Sequence, residues 1–319
     1  MNKPQENFSL VLVVVMFLTM GLAAQAHPDW TTPFPPHHVI GNIYYVGSQG
    51  LASYLITTSQ GNILINSSLE SSVPMIRESI EKLGFQFSDT KILLISHAHW
   101  DHCAGSALVK ELTGAKYYVM DGDVDVVDSG GKTDFQYGGD DNNHYKPTKV
   151  DRVLHDGDEV RLGDIVLVAH LTPGHTKGTT TWTMKANDGG KMLDIVIVGS
   201  PNVNRGYKLV NNELYPQIAH DYERMFAVLK SLPCDVFLGA HGDYYGLAAK
   251  YAKLGHGTNP FIDPDGYKSY VAEKEQDGLI ELCGVPLNNL LGNVAECKHE
   301  ARNRENGHQR PDLGSVRSH

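Results

Sequence analysis

Cysteine is scarce in this chain: four in 319 residues, at positions 103, 234, 283 and 297. None forms a C-x-x-C pair, which excludes a cysteine-framed zinc module. Spacing alone leaves three complete pairings open. A basic stripe is also missing. Lys and Arg number 27 against 37 Asp and Glu, a formal net charge of −10. Phosphate binding needs clustered cations, so nucleic acid is excluded as the main partner and small molecules are favoured. No G-x-S-x-G motif occurs, and with it goes the usual serine nucleophile of an α/β hydrolase. No internal repeat is present, and no linker divides Tyr44 from Leu282. One α/β domain is expected.

Beyond the N-terminus no apolar run is long enough to cross a membrane. The first 26 residues hold a Lys near the start, an apolar run from Leu10 to Leu22, and the small-residue ending Ala24-Gln25-Ala26. That layout reads as a signal peptide cut after Ala26, placing the mature chain outside the cytoplasm, free of the membrane. From about Val285 the sequence turns polar with almost no aromatics, so residues 285–319 read as a disordered tail.

Between these ends, short strands fit Tyr44 to Val46, Ser53 to Thr57 and Ile63 to Asn66. A helix fits Val73 to Leu83, where Val73, Ile76, Ile80 and Leu83 share a face and Gly84 ends it. Lys91 to Ile95 reads as a buried strand. A helix over Ala104 to Leu112 and a strand over Tyr117 to Met120 follow. The polar stretch Asp121 to Lys149 reads as a loop with one helical turn. Strands recur at Glu159 to Arg161, Ile165 to Leu171, Thr179 to Met184, Met192 to Gly199 and Asp235 to Gly239. Helices fit Leu214 to Leu232 and Pro264 to Leu282.

The chemistry lies where the strand ending at Ile95 gives way to Ser96-His97-Ala98-His99-Trp100-Asp101-His102-Cys103. Three histidines and an aspartate within six residues place nitrogen and carboxylate donors, the ligands zinc takes, on one turn. Alternation along extended chain sends His97 and His99 to one side, while Asp101 and His102 turn toward a second position. His175 and His241 also follow strand ends, through Thr172-Pro173-Gly174 and Ala240. Three ligands per ion would leave room for water, which favours catalysis over a closed structural or carrier site.

His97-Ala98-His99-Trp100-Asp101-His102, Thr172-Pro173-Gly174-His175-Thr176 and Leu238-Gly239-Ala240-His241 resemble the three ligand motifs of the metallo-β-lactamase superfamily, nearest to subclass B3. The resemblance runs from Gly41 to about Tyr270 and implies a domain over 27–284. It implies an αβ/βα sandwich, two mixed β-sheets with helices on the outer faces. It also implies two Zn2+ per chain, one on His97, His99 and His175, the other on Asp101, His102 and His241. The activity implied is hydrolysis of the β-lactam amide bond by a metal-bound hydroxide that Asp101 orients. The implied setting is the periplasm, with the chain a monomer conferring antibiotic resistance.

Ser200 separates the subfamilies, because lactonases and glyoxalase II relatives carry a metal-bridging Asp there and other β-lactamases a Cys. In the B3 pattern Ser200 and the residue at Asn202 face the antibiotic's carboxylate; serine is common where this chain has Asn202. A lactonase or thioesterase on the same fold is the rival reading. Relatives also pair a Cys at the Cys234 position with one that is Tyr267 here, leaving Cys234 free or bonded to Cys283. Cys103 reads as a small buried hydrophobe. Trp100, Gln136, Tyr137 and Tyr207 are candidate pocket residues.

Overall fold

The computed structural model describes residues 27–283. The expected signal peptide and tail lie outside them. Seven strands form the first sheet: β1 (His37–Ile40), β2 (Ile43–Tyr45), β3 (Tyr54–Thr58), β4 (Gly61–Ile65), β5 (Thr90–Leu94), β6 (Lys116–Met120) and β7 (Arg152–Leu154), hydrogen-bonded in that order. They pair antiparallel as far as β4 and parallel from β4 to β7. The second sheet has the order β12-β11-β10-β9-β8, where β8 is Glu159–Leu162, β9 Ile165–Leu171, β10 Thr180–Asp188, β11 Lys191–Val198 and β12 Val236–Gly239. Its strands are antiparallel except for the parallel pair β11–β12.

Strands β4 and β5 carry unbroken apolar runs, Ile63 to Ile65 and Ile92 to Leu94, because both their faces are covered there. On β4 and β5, Ile63, Ile65, Ile92 and Leu94 turn into the core between the sheets, while Leu64 and Leu93 join a second cluster on the opposite face. That outer cluster takes Val73, Ile76 and Ile80 from α1 (Val73–Lys82), Val109 from α3 (Ser106–Thr113) and Val126 and Val127 from α4 (Val124–Ser129). On the far side, α5 (Ile218–Ser231) sends Ile218, Tyr222, Met225 and Leu229 into the core, and α7 (Pro264–Cys283) sends Tyr267 and Val271. The layers run helix, sheet, sheet, helix. Truncating Leu64, which is wholly buried, to Ala would cost about 2–5 kcal/mol.

Several boundaries differ from the sequence reading. The helix expected from Ala104 begins at Ser106 as α3, because the Gly105 amide donates to Ser68 O at 2.9 Å, and a separate short helix that was not foreseen, α2 (Trp100–Cys103), precedes it. Helix α5 starts at Ile218, since Asn212 Oδ1 accepts from the amides of Leu214 and Tyr215 and holds that stretch as a turn. Strands β1 and β7 and the short helix α6 (Leu247–Tyr251) were not foreseen.

Cys103 is buried and free, and Cys234 is half-buried and free. Cys283 is disulfide-bonded, so neither of those two is its partner.

Candidate metal centre

The cluster is built at one end of the sandwich, from strand ends of both sheets. Beyond β5, backbone bonds hold the histidine turn: Thr180 N donates to Ser96 O at 2.7 Å and Trp182 Nε1 to Ile95 O at 3.1 Å, both across from the second sheet. Asn66, left-handed at φ 65° after β4, accepts from Ser96 N at 2.8 Å, a conformation Asn tolerates better than most residues. Beyond β9, the Gly174 amide donates to Thr176 O at 2.9 Å and shapes the His175 turn. Beyond β12, His241 forms an antiparallel bridge with Leu51.

These turns bring all six expected donors together. His97, His99 and His175 offer nitrogens within 4.8 Å of one another, as do His97, Asp101 and His102 with a carboxylate oxygen. The Nε2 atoms of His102 and His241 lie 3.0 Å apart, and Asp101 Oδ2 is 3.2 Å from the first and 3.6 Å from the second. Every ligand candidate except His241 is buried.

Burial and the neighbouring rings push the pKa of His97 and His175 well below the ordinary value, and that of His241 down to about 3. Neutral imidazole is the form that binds a metal. Burial opposes charge on Asp101, yet His102 and His241 outweigh it and keep the group ionised. Burial would likewise lower His99, but Asp134, whose Oδ2 is 3.6 Å from His99 Nε2, reverses the sign and raises it. His102 Nδ1 and His99 Nε2 are buried without a hydrogen-bond partner. Crowded imidazoles beside an ionised carboxylate, two of them with orphaned nitrogens, fit a divalent cation of zinc type.

Asp123 and Tyr222, which the sequence reading missed, hold this arrangement together with the backbone of Asn202. Asp123 is buried and accepts from Ala98 N, Gly178 N and Thr176 Oγ1, each at 2.8 Å. It ties the His97–His99 turn to the His175 turn; burial raises its pKa to about 6. Asn202 O accepts from His175 Nδ1 at 2.8 Å and from Tyr222 OH at 2.7 Å. A backbone acceptor on one ring nitrogen fixes which nitrogen remains for a metal. Isolated Asp and Tyr residues carry no motif, so only contacts reveal them.

His99, Asp101, His175 and His241 line a cleft of about 750 Å³ that is also walled by Trp30, Trp100, Tyr137, Asn202 and Tyr244, with His97 and His102 buried behind them. Ser200 does not line it. That side chain is buried, its hydroxyl 2.9 Å from Tyr244 OH, to which Asn202 Nδ2 also donates at 2.8 Å. Tyr207 is also buried, donating to His175 O at 2.8 Å, and Gln136 lies off the cleft lining. Among the described residues no helix is long and apolar enough to cross a membrane.

Comparison with known proteins agrees with this geometry. A model of the metallo-β-lactamase superfamily matches residues 49–188. The chain is 58% identical to the native FEZ-1 metallo-β-lactamase from Legionella gormanii, with a TM-score of 0.79 over 80% of this chain and 97% of that one. It is 36% identical to BJP-1, a subclass B3 metallo-β-lactamase of Bradyrhizobium japonicum (TM-score 0.74; 85% and 98% covered). To LRA-12, a class B3 di-zinc metallo-β-lactamase from an Alaskan soil metagenome, it is 37% identical (TM-score 0.76; 80% and 97% covered). With its ligand motifs, its two mixed sheets and relatives this near, the chain belongs to the metallo-β-lactamase superfamily, among the B3-like members.

Proposed function

We propose that the protein is an exported, monomeric zinc β-lactamase of the periplasm that opens the amide bond of β-lactam antibiotics. The observation that carries this is the convergence of six donors from both sheets, four of which, His99, Asp101, His175 and His241, line one open cleft. His97, His99 and His175 hold one zinc, and Asp101, His102 and His241 the other. Zinc bound there supplies Lewis-acid polarisation of a carbonyl and a water acidified toward neutrality.

The chain's own groups supply the rest. Asp101, kept ionised by His102 and His241, accepts a proton-bearing group at the floor of the cleft and orients it. Asn202 O fixes the His175 tautomer, and Asp123 keeps the ligand turns in register. Trp30, Trp100 and Tyr137 wall the cleft with apolar surface that excludes bulk water and strengthens the electrostatics inside. Ser200 stands where lactonase relatives carry a bridging carboxylate, and its hydroxyl is paired with Tyr244. The lack of a carboxylate at that position supports a donor set of six and the β-lactamase reading.

The test is hydrolysis of a carbapenem and a cephalosporin by the purified mature chain with zinc, before and after chelation, alongside metal counting. Two zinc ions per chain and ring opening that chelation abolishes are expected. A zinc-loaded protein inert toward both drugs would redirect the search to lactones and thioesters.

A further inference from the structure

Penicillins, cephalosporins and carbapenems enter a site as carboxylate anions. The cleft that would receive them is lined by Asp29, Asp101 and Asp243 and, among the described residues, by a single Lys or Arg, Arg205. The two polar side chains that the B3 pattern offers to the carboxylate are engaged elsewhere: the Ser200 hydroxyl and the Asn202 amide both bond to Tyr244 OH. Arg205 is exposed, and its side chain has no ion pair, hydrogen bond or ring contact among the described residues.

The backbone beneath Arg205 is fixed even though its side chain is free. Tyr207 N donates to Asn204 O at 3.0 Å, closing a turn with Arg205 second and Gly206, at φ 94°, third. Asn204 Nδ2 donates to Tyr137 OH at 2.9 Å, and Tyr207 OH to His175 O at 2.8 Å. The turn is therefore bonded to the cleft wall and to a ligand turn at once. A guanidinium on such a turn has five donors to offer a carboxylate and no existing partner to give up.

We propose that Arg205 captures the substrate carboxylate and so sets the preference of the site for anionic β-lactams. The assignment rests on the β-lactamase reading. Capture at an exposed position acts on binding more than on the chemical step, and it is screened by salt.

The experiment compares wild type, Arg205→Gln and Arg205→Lys, each with its zinc content checked, on a penicillin and on its methyl ester, at low and high ionic strength. Arg205→Gln raises KM for the acid roughly tenfold, the size of one lost charge-assisted hydrogen bond. Its kcat stays within about twofold, because the contact is made equally in ground and transition states. KM for the ester is unchanged, Arg205→Lys recovers part of the loss, and salt weakens wild type toward the Gln variant. An unchanged KM for the acid, or equal rises for acid and ester, overturns the role of Arg205 while leaving the β-lactamase reading intact. A zinc-loaded wild type that opens neither ring overturns both.

Discussion

The hydroxyl of Ser200 lies 2.9 Å from that of Tyr244, which also accepts from Asn202 Nδ2 at 2.8 Å. Tyr244, itself a wall of the cleft, thus ties together two polar residues that follow β11. In Tyr244→Phe the buried Ser200 hydroxyl loses its partner, at a cost of about 1–3 kcal/mol. Asn202, whose carbonyl holds His175, is loosened as well. A lower denaturant midpoint at unchanged m-value is the expected result. An unshifted midpoint would show that the hydroxyl pairing contributes nothing.

Asp123 gathers three buried donors from two ligand turns. Asp123→Ala strands the Ala98 and Gly178 amides, while Thr176 Oγ1 keeps Thr179 Oγ1 as a partner, and is expected to weaken zinc binding by about 10–100-fold, the usual effect of removing a group that orients ligands. Asp123→Asn keeps the shape and one acceptor and should lose less. Titration against a competing chelator reads both, and equal affinity in all three proteins refutes the bracing role.

Gly174 sits at φ 133°, and a Cβ there would come within 2.8 Å of the Tyr222 ring. Tyr222 in turn bonds to Asn202 O, which holds His175. Gly174→Ala therefore combines backbone strain with a clash, expected at about 2–4 kcal/mol together, and it lowers zinc occupancy at the His175 site. Gly84→Ala is the control, since Gly84 has φ 88° but open space around its Cβ position. It should lose stability without losing zinc.

Acid should destabilise the metal-free protein through His241. Its pKa is near 3 in the fold and about 6.5 in an unfolded chain. Between those values the unfolded state takes up a proton that the native state refuses. The stabilising contribution is therefore present above about pH 6.5 and is lost as pH falls, at up to about 1.4 kcal/mol per pH unit. Chemical denaturation of metal-free wild type and His241→Gln from pH 7.5 to pH 4.5 isolates the effect. The variant should show the shallower acid loss, and parallel curves would sink the assignment.

The six donors were legible because each is a His or Asp at the end of an apolar strand. The strands were legible because two-sided burial writes continuous apolar runs, such as Ile92 to Ile95. The rest depended on long-range contacts that leave no local pattern. Asp123 looks like one acid in an acidic loop, and Tyr244 like one aromatic of a Tyr pair. Strand β1 was missed because His37-His38-Val39-Ile40 follows two prolines and has no alternation. The break at Gly105 comes from the Ser68 carbonyl, distant in sequence. The engagement of Ser200 by Tyr244 is likewise set by the fold, so sequence alone offered Ser200 to the substrate.

The bonds from Thr180 N to Ser96 O and from Trp182 Nε1 to Ile95 O fasten the histidine turn to the opposite sheet without involving any ligand side chain. The two strand ends are thereby coupled, so a change that shifts β10 moves the backbone carrying His97 and His99 as a unit, even where it touches no ligand ring.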